Sequence, residues 1–327
     1  MIELTVGGTS LGKARFVTDP IWETVASVAA LRRPASRAMH RRLADLRLHA
    51  RPEDIQLLTE VCGDPEWLPD FVTPVPQPRP GREPLEHLRS IASVDPARAE
   101  ADLEDLRIAQ PDSVAAAMDA DELVVAVGAA LVRYWEAVLA PLWKRLDAIG
   151  QADIAHRSLL TATDGLGVTI DGLHERLAWE DESIRITCSP NVNIDTAQGI
   201  WLVPSVFRWP GLMVQFGCEV PVISYPARGA GQLWERNVER PAGLDRLLGS
   251  TRARVLADAD LPVTTTDLAA SIGCAKATVS EHLTALSDAG LMQSWRHGRQ
   301  VFYERTTLGD GLLTAAGLEP VMTPAPR

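Results

Sequence analysis

The feature that most restricts the fold lies between residues 264 and 305, where helical spacing gives way to strand alternation at two glycines. Thr264-Thr265-Thr266-Asp267 has the form of a capping box, with Asp in place of Glu, and opens a short helix whose Leu268 and Ile272 point inward. Gly273 stands where a left-handed residue is needed to end that helix. A second helix follows from Ala275 to Ala289, with Val279, Leu283 and Leu286 at core spacing, and Gly290 stops it. Two strands, Leu291–Trp295 and Gln300–Arg305, are then joined by Arg296-His297-Gly298-Arg299, a hairpin with glycine at its tip. Upstream, Leu244, Leu247, Leu248, Val255 and Leu256 give one further apolar-faced helix.

Helix, helix, turn, helix and basic hairpin is the order of a winged helix-turn-helix. An α-helix fits the major groove, where base identity is legible, and a basic hairpin can grip flanking phosphate. The residues expected to face duplex DNA are Lys276, Thr278, Ser280, Glu281, His282 and Thr284 on the helix, with Arg296, His297, Arg299 and Arg305 on the hairpin. The stretch LAASIGCAKATVSEHLTALSDAGLMQSWRHGRQVFYERT resembles the DNA-binding domain of ArsR-like bacterial repressors. Their recognition helix commonly reads S-x-S-T-V-S-x-H-L-x-x-L-x-x-A-G-L-V, and the match covers under a quarter of the chain.

Three departures from that pattern matter. Ala275 replaces the usual serine N-cap, a loss of about 0.5–2 kcal/mol. Glu281 replaces a cation or amide; it can accept from cytosine N4 or simply repel phosphate. The thiolate-bearing helix of the metal sensors reads Thr264-Thr265-Thr266-Asp267-Leu268 here, and Leu308–Ala316 lacks their His/Asp ligands, so no metal is expected. The rest of the chain resembles large actinobacterial regulators that join an uncharacterised N-terminal domain to this module. Its landmarks are Thr18-Asp19-Pro20-Ile21-Trp22-Glu23, Leu68-Pro69-Asp70-Phe71-Val72-Thr73-Pro74, Leu202-Val203-Pro204-Ser205-Val206-Phe207 and Tyr225-Pro226-Ala227-Arg228-Gly229. That resemblance implies a regulator and supplies no ligand.

Charge is split along the chain. Of the net −11, residues 241–327 carry only −1, and the remaining −10 belongs to residues 1–240. DNA binding by so neutral a module requires a few well-placed cations and a dimer to double them. In the N-terminal part, Asp19-Pro20 reads as an N-cap and first helical residue ahead of Ile21, Val25, Val28 and Leu31. Arg32, Arg33, Arg37, Arg41, Arg42, Arg47 and Arg51 follow, read as a solvated face. The five prolines of residues 73–84 form an extended strap. From Pro84 to about Trp179 the pattern is mainly helical, most apolar across Ala117–Leu146. After Glu182 it turns to short strands near Ile184–Thr187, Gly199–Pro204, Leu212–Phe216 and Val220–Tyr225, suggesting an antiparallel meander.

The expected fold is therefore α+β. A mainly helical N-terminal domain with a small antiparallel sheet (1–240) senses an effector and dimerises; a winged helix-turn-helix domain (241–317) and a flexible tail (318–327) follow. No apolar run such as Leu123–Val132 approaches a membrane span, and MIELTVGGTS has neither the basic nor the apolar region of a leader, so a cytoplasmic, nucleoid-associated protein without membrane contact is expected. The four cysteines are scattered, and Cys274 reads as a small buried thiol. Eight of nine tryptophans precede residue 240; Trp201, Trp209 and Trp234, nearest the strands, are the candidates for lining a pocket for a small-molecule effector of unassigned identity. No cofactor, catalytic residue or metal ligand is assigned. The expected function is a repressor that holds an inverted-repeat operator as a homodimer. The alternative is an enzyme or a protein-interaction module with an appended winged helix. His156, Asp171, His174, Glu175 and Cys188 are chemically able, but no nucleophile elbow, P-loop or HExxH organises them.

Overall fold

The computed structural model describes residues 2–5, 14–64, 68–76, 83–180, 183–187, 192–195, 199–215, 220–234, 242–259, 263–297 and 300–316. Two compact units divide the chain, Met1–Leu233 and Trp234–Arg327. The Arg240-Pro241 boundary, the middle of the proline strap and the C-terminal tail lie outside the described residues.

In the first unit two short strands, β1 (Ile2–Thr5) and β2 (Ala14–Phe16), precede helix α1 (Pro20–Arg32). Asp19 starts that helix by accepting from the amides of Ile21 and Trp22 at 2.9 and 3.1 Å, with Pro20 at the first helical position. The sequence suggests one apolar stripe, but every residue from Pro20 to Leu31 is buried. Small residues (Ala26, Ser27, Ala29, Ala30) let neighbours close in all round, and this obliges α1's polar groups to find internal partners. The Thr24 hydroxyl donates to the Pro20 carbonyl (2.6 Å) and the Ser27 hydroxyl to that of Thr24 (2.7 Å). The Trp22 indole N–H donates to the Pro74 carbonyl (3.0 Å), anchoring the start of the strap.

Around α1 stand α2 (Pro34–Met39), α3 (Arg41–Leu46), α4 (Pro52–Cys62), α5 (Pro84–Arg89), α6 (Pro96–Ala109), α7 (Ala120–Tyr134), α8 (Trp143–Asp164) and α9 (Leu166–Asp171). Asp119 and Glu122 form a capping box at the head of α7. Between α7 and α8 the helix widens to a π-turn over Trp135–Leu139 and tightens over Ala140–Leu142, where Pro141 has no N–H to give. The run Ala120–Asp164 is long and apolar enough to cross a membrane by length and composition, which reading Leu123–Val132 alone misses. Of its most apolar window, 56% is buried inside the fold, the behaviour of a core helix.

The strands are β3 (Leu177–Glu180), β4 (Ser183–Ile186), β5 (Val192–Asp195), β6 (Ile200–Ser205), β7 (Met213–Gln215) and β8 (Val222–Pro226). They do not form the expected antiparallel meander. One sheet runs β3-β4-β1-β5, with β1 parallel to β5 and antiparallel to β4; the other runs β2-β6-β8-β7, with β2, β6 and β8 parallel and only β7 reversed. The cause is long-range: the N-terminal strands insert beside β4 and β6, and β7 pairs outside β8 instead of between β6 and β8. Ile2, Leu4, Ile184 and Ile186 of one sheet share a core with Ile200, Leu202, Ile223 and Tyr225 of the other. The chain is thus α+β, mainly helical, with mixed as well as antiparallel sheets.

The second unit contains α10 (Ala242–Leu248), α11 (Ser250–Asp258), β9 (Val263–Thr264), α12 (Thr265–Ile272), α13 (Lys276–Asp288), β10 (Met292–His297), β11 (Gln300–Arg305) and α14 (Thr307–Ala315). The single upstream helix expected over 244–256 is two, because Gly249 adopts φ +81° between them and leaves Leu247 exposed. Gly273 (φ +72°) and Gly290 (φ +71°) end α12 and α13 in left-handed backbone. Strand order is β10-β11-β9, and the core is Leu244, Val255, Leu256, Leu268, Ile272, Val279, Leu283, Leu286 and neighbours.

Candidate nucleic-acid interface

Burial divides α13 lengthwise. Val279, Leu283 and Leu286 are inside, against α11 and α12, while Lys276, Ala277, Ser280, Glu281 and Thr284 are exposed and Thr278 and His282 half-buried. The outward residues share a face because their spacing is three, four and seven. Ala275 occupies the N-cap in extended backbone and offers no side-chain hydrogen bond, so the first amides of α13 are left without a cap from it. The Thr284 hydroxyl donates back to the Ser280 carbonyl at 3.0 Å, which commits its proton within the helix.

β10 and β11 pair from Met292↔Arg305 to His297↔Gln300, stiffened by Trp295 stacked on Phe302 with centroids 5.8 Å apart. Arg296 is exposed near the end of this ribbon. The side chain of His297, and Arg299 altogether, lie outside the described residues. Contrary to expectation, Arg305 is not on the open face of the hairpin. Its guanidinium is buried, donating to Asp310 at 2.6 Å and to the carbonyls of Leu256 and Ala257 at 3.1 Å each. Burial pulls its pKa down against the pull of Asp310. Arg305 ties β11 to α11 and α14 and is not free to anchor DNA. The hairpin register puts it opposite Met292, at the core end of the strand, a placement the strand period leaves open. Tyr303 and Cys274 pack, partly buried, against the core cluster, so Cys274 is less enclosed than the buried thiol expected of it.

Of the three tryptophans proposed for an effector pocket, Trp201 and Trp209 lie in the first unit. Trp201 is half-buried on β6, with the Arg15 guanidinium 5.5 Å above its ring, and Trp209 is 37% exposed in the loop beyond. Trp234 falls in the other unit. A pocket does open where β2 and β6 end, between Thr18, Asp19 and Glu23 on one side and Trp143 and Asp147 of α8 on the other; none of the three tryptophans lines it. It has room for about one water molecule. Among the described residues, no three His, Cys, Asp or Glu side chains converge as metal ligands.

The four landmark segments of the N-terminal part meet as joints of the fold. Glu23 accepts from the amides of Val206 (3.0 Å) and Phe207 (3.3 Å), Trp22 donates to Pro74, and Ala227 N–H donates to the Ser205 carbonyl (3.0 Å). Tyr225 donates to Asp153 at 2.7 Å, and Asp153 also accepts from the Arg228 amide (3.0 Å). Burial pushes the Glu23 carboxyl up to about 7, against the opposing pull of Ser205, the two amides and Arg208. Burial likewise lowers Arg208 to about 10, helped by Arg33, and His40 to about 4. Sequence reading assigned none of these three a role; their signal is a charged residue amid apolar ones, as in Ile21-Trp22-Glu23-Thr24-Val25. Comparison with known protein families, with curated proteins and with solved structures returns no match for this chain.

Proposed function

We propose that the second unit is a winged helix-turn-helix that binds duplex DNA, with α13 in the major groove and β10-β11 as the wing. The observation that carries this reading is the lengthwise division of α13. A helix between two left-handed glycine stops buries Val279, Leu283 and Leu286 and turns Lys276, Ser280, Glu281 and Thr284 to solvent ahead of a two-stranded ribbon. Within that class, the chain acts as a transcriptional repressor: a homodimer on an inverted-repeat operator, with the N-terminal unit sensing the signal. The near-neutral charge of residues 241–327 supports dimerisation, since one copy brings few cations to the phosphates.

Selection of the full-length protein on a randomised duplex pool, followed by salt titration of the winner, tests the reading. An enriched inverted repeat with half-sites about 34–36 Å apart, and affinity falling with salt, is the expected outcome. A folded protein that enriches nothing, in buffer or with cell extract added as a source of effector, overturns it and leaves the unit to a protein partner.

A further inference from the structure

We infer that the outward face of α13 reads pyrimidines, so that each operator half-site carries a cytosine taken by Glu281, with thymines beside it met by the methyl groups of Ala277 and Thr284. The inference rests on the DNA-binding reading above and adds to it the base chemistry that these side chains select.

The exposed face offers Lys276, Ala277, Ser280, Glu281 and Thr284, of which Ser280 is neutral because its hydroxyl can serve either kind of base. Ala277 presents a methyl group and nothing else. Thr284 has its hydroxyl proton committed to the Ser280 carbonyl, so it offers a partner a methyl group and an acceptor oxygen but no donor. Glu281, ionised, is acceptor-only. In the major groove the pyrimidine edges answer that set: cytosine N4 is a donor suited to a carboxylate, and the thymine C5-methyl is the apolar group suited to Ala or Thr. Purine edges call for paired contacts, donors to guanine O6 and N7 from Arg or Lys, or one donor and one acceptor to adenine from Asn or Gln, and between Lys276 and Asp288 no Arg, Asn or Gln stands. Lys276, exposed at the N-terminal end, is the one cation on the helix and reaches guanine N7/O6 or a phosphate.

Spacing sets where the bases fall. At a rise of about 1.5 Å per residue, Ala277 and Thr284 are about 10 Å apart along the helix, with Glu281 between them. Base pairs repeat about every 3.4 Å, so the three side chains cover about three steps. The cytosine therefore has a thymine within one or two base pairs. Glu281 also sets the contrast with non-specific DNA. Its charge is repaid only where an amino group waits and repels phosphate elsewhere, so it lowers affinity for random sequence as well as selecting cytosine.

The test is the duplex selection repeated with E281Q and E281A. Wild-type protein should enrich one C·G pair per half-site flanked by A·T pairs. E281Q should move that position toward adenine, which Gln reads through N6 and N7. E281A should lose the preference there, on the order of ten-fold, and bind random DNA more tightly than wild type. Replacing thymine by deoxyuridine at the flanking positions removes only the methyl group and should weaken binding about four-fold per contacted site. Enrichment of a site without the cytosine, or the same base preference for E281A and wild type, overturns the inference and leaves DNA binding standing. If no sequence is enriched while the protein is folded, the DNA-binding reading falls and this inference with it.

Discussion

Glu23 and Glu281 place the same carboxyl group in opposite surroundings. Glu23 projects from a helix buried on every side; its oxygens are used by the amides of Val206 and Phe207 from a distant loop. Glu281 projects from a helix buried on one side only, toward solvent. The difference teaches where to look for recognition. A polar group that the fold has already satisfied holds segments together, and its replacement is read in stability. A row of polar groups held out by a half-buried helix is satisfied by water until a partner takes its place, and where one does, replacement is read in binding. The first unit spends the charged residues of its four landmark segments largely on the first task, and the outward face of α13 is proposed above to serve the second.

Arg305 breaks this division by region, because it sits in the second unit and behaves as Glu23 does. Arg305→Ala is expected to have the largest effect of the substitutions considered. It strands Asp310 and two carbonyls at the junction of β11, α11 and α14, at a cost of about 3–5 kcal/mol. Hydrogen exchange should show α11 and α13 losing protection even without DNA. Native protection in Arg305→Ala, combined with weaker DNA binding, would restore Arg305 to the wing's contacts and remove it from the core.

Glu23→Gln sharpens the comparison from the other side, through pH. Glu23's folded pKa of about 7 lies above its ordinary 4.5, so the group's contribution is full below pH 4.5 and is lost as pH rises through 7, about 3 kcal/mol in all. His40 has the opposite sign. Its folded value of about 4 lies below the ordinary 6.5, so its contribution is present above pH 6.5 and lost as pH falls toward 4. Between pH 4.5 and 6.5 the two nearly cancel. Asp102, whose carboxyl burial raises to about 6, adds a second fall with rising pH, so urea denaturation of the wild type should show stability falling across that window, whereas in Glu23→Gln the opposing Asp102 and His40 should leave the profile close to flat. Parallel pH profiles for the two proteins would mean that Glu23 ionises normally and that its burial has been met in some other way.

The same distinction explains how much could be read from the residues. Local signals were legible: Asp19-Pro20 starts α1, Gly273 and Gly290 end α12 and α13, and Val279, Leu283 and Leu286 form the inner stripe. These depend on neighbours within a turn or two. What the period of a segment does not carry is the identity of a distant partner. β2 lies beside β6 although their registered residues Phe16 and Leu202 are far apart in the chain, which turns an expected antiparallel sheet into a mixed one. Arg305 looks like any strand-end arginine until α11 supplies two carbonyls and α14 a carboxylate. Lys276, Ser280, Glu281 and Thr284 were legible as outward residues from helical spacing; the half-burial of Thr278 and His282, the exposure of Ala277 and the Thr284 bond to Ser280 were not.

Arg296→Ala is the matched control for Arg305. Its side chain is exposed on the ribbon, so stability should change by no more than about 0.5 kcal/mol. The loss should fall on DNA of every sequence alike, with the slope of log affinity against log salt shallower by about 0.9 for each phosphate contact removed. An unchanged slope would take Arg296 out of the interface and leave the wing to the residues beyond it.

One expected effect is a gain, at the start of α13, where Ala275 supplies no side-chain cap. Ala275 already has the extended backbone of an N-cap, φ −63° and ψ 141°, and lacks only the side-chain oxygen. Ala275→Ser supplies an acceptor for an amide in the first turn without moving the chain, worth about 1 kcal/mol. For a unit of this size that corresponds to a rise in Tm of about 4–8 °C. The substitution also separates two uses of the same amides. If they serve only the helix, stability rises and DNA affinity is unchanged. If they receive a phosphate when α13 enters the groove, as uncapped helix N-termini do, the serine competes for them. Tm then rises while affinity falls for all sequences and the salt slope becomes shallower. A Tm that does not rise at all would mean that the first turn of α13 is already satisfied within the unit, and that the missing serine costs the protein nothing.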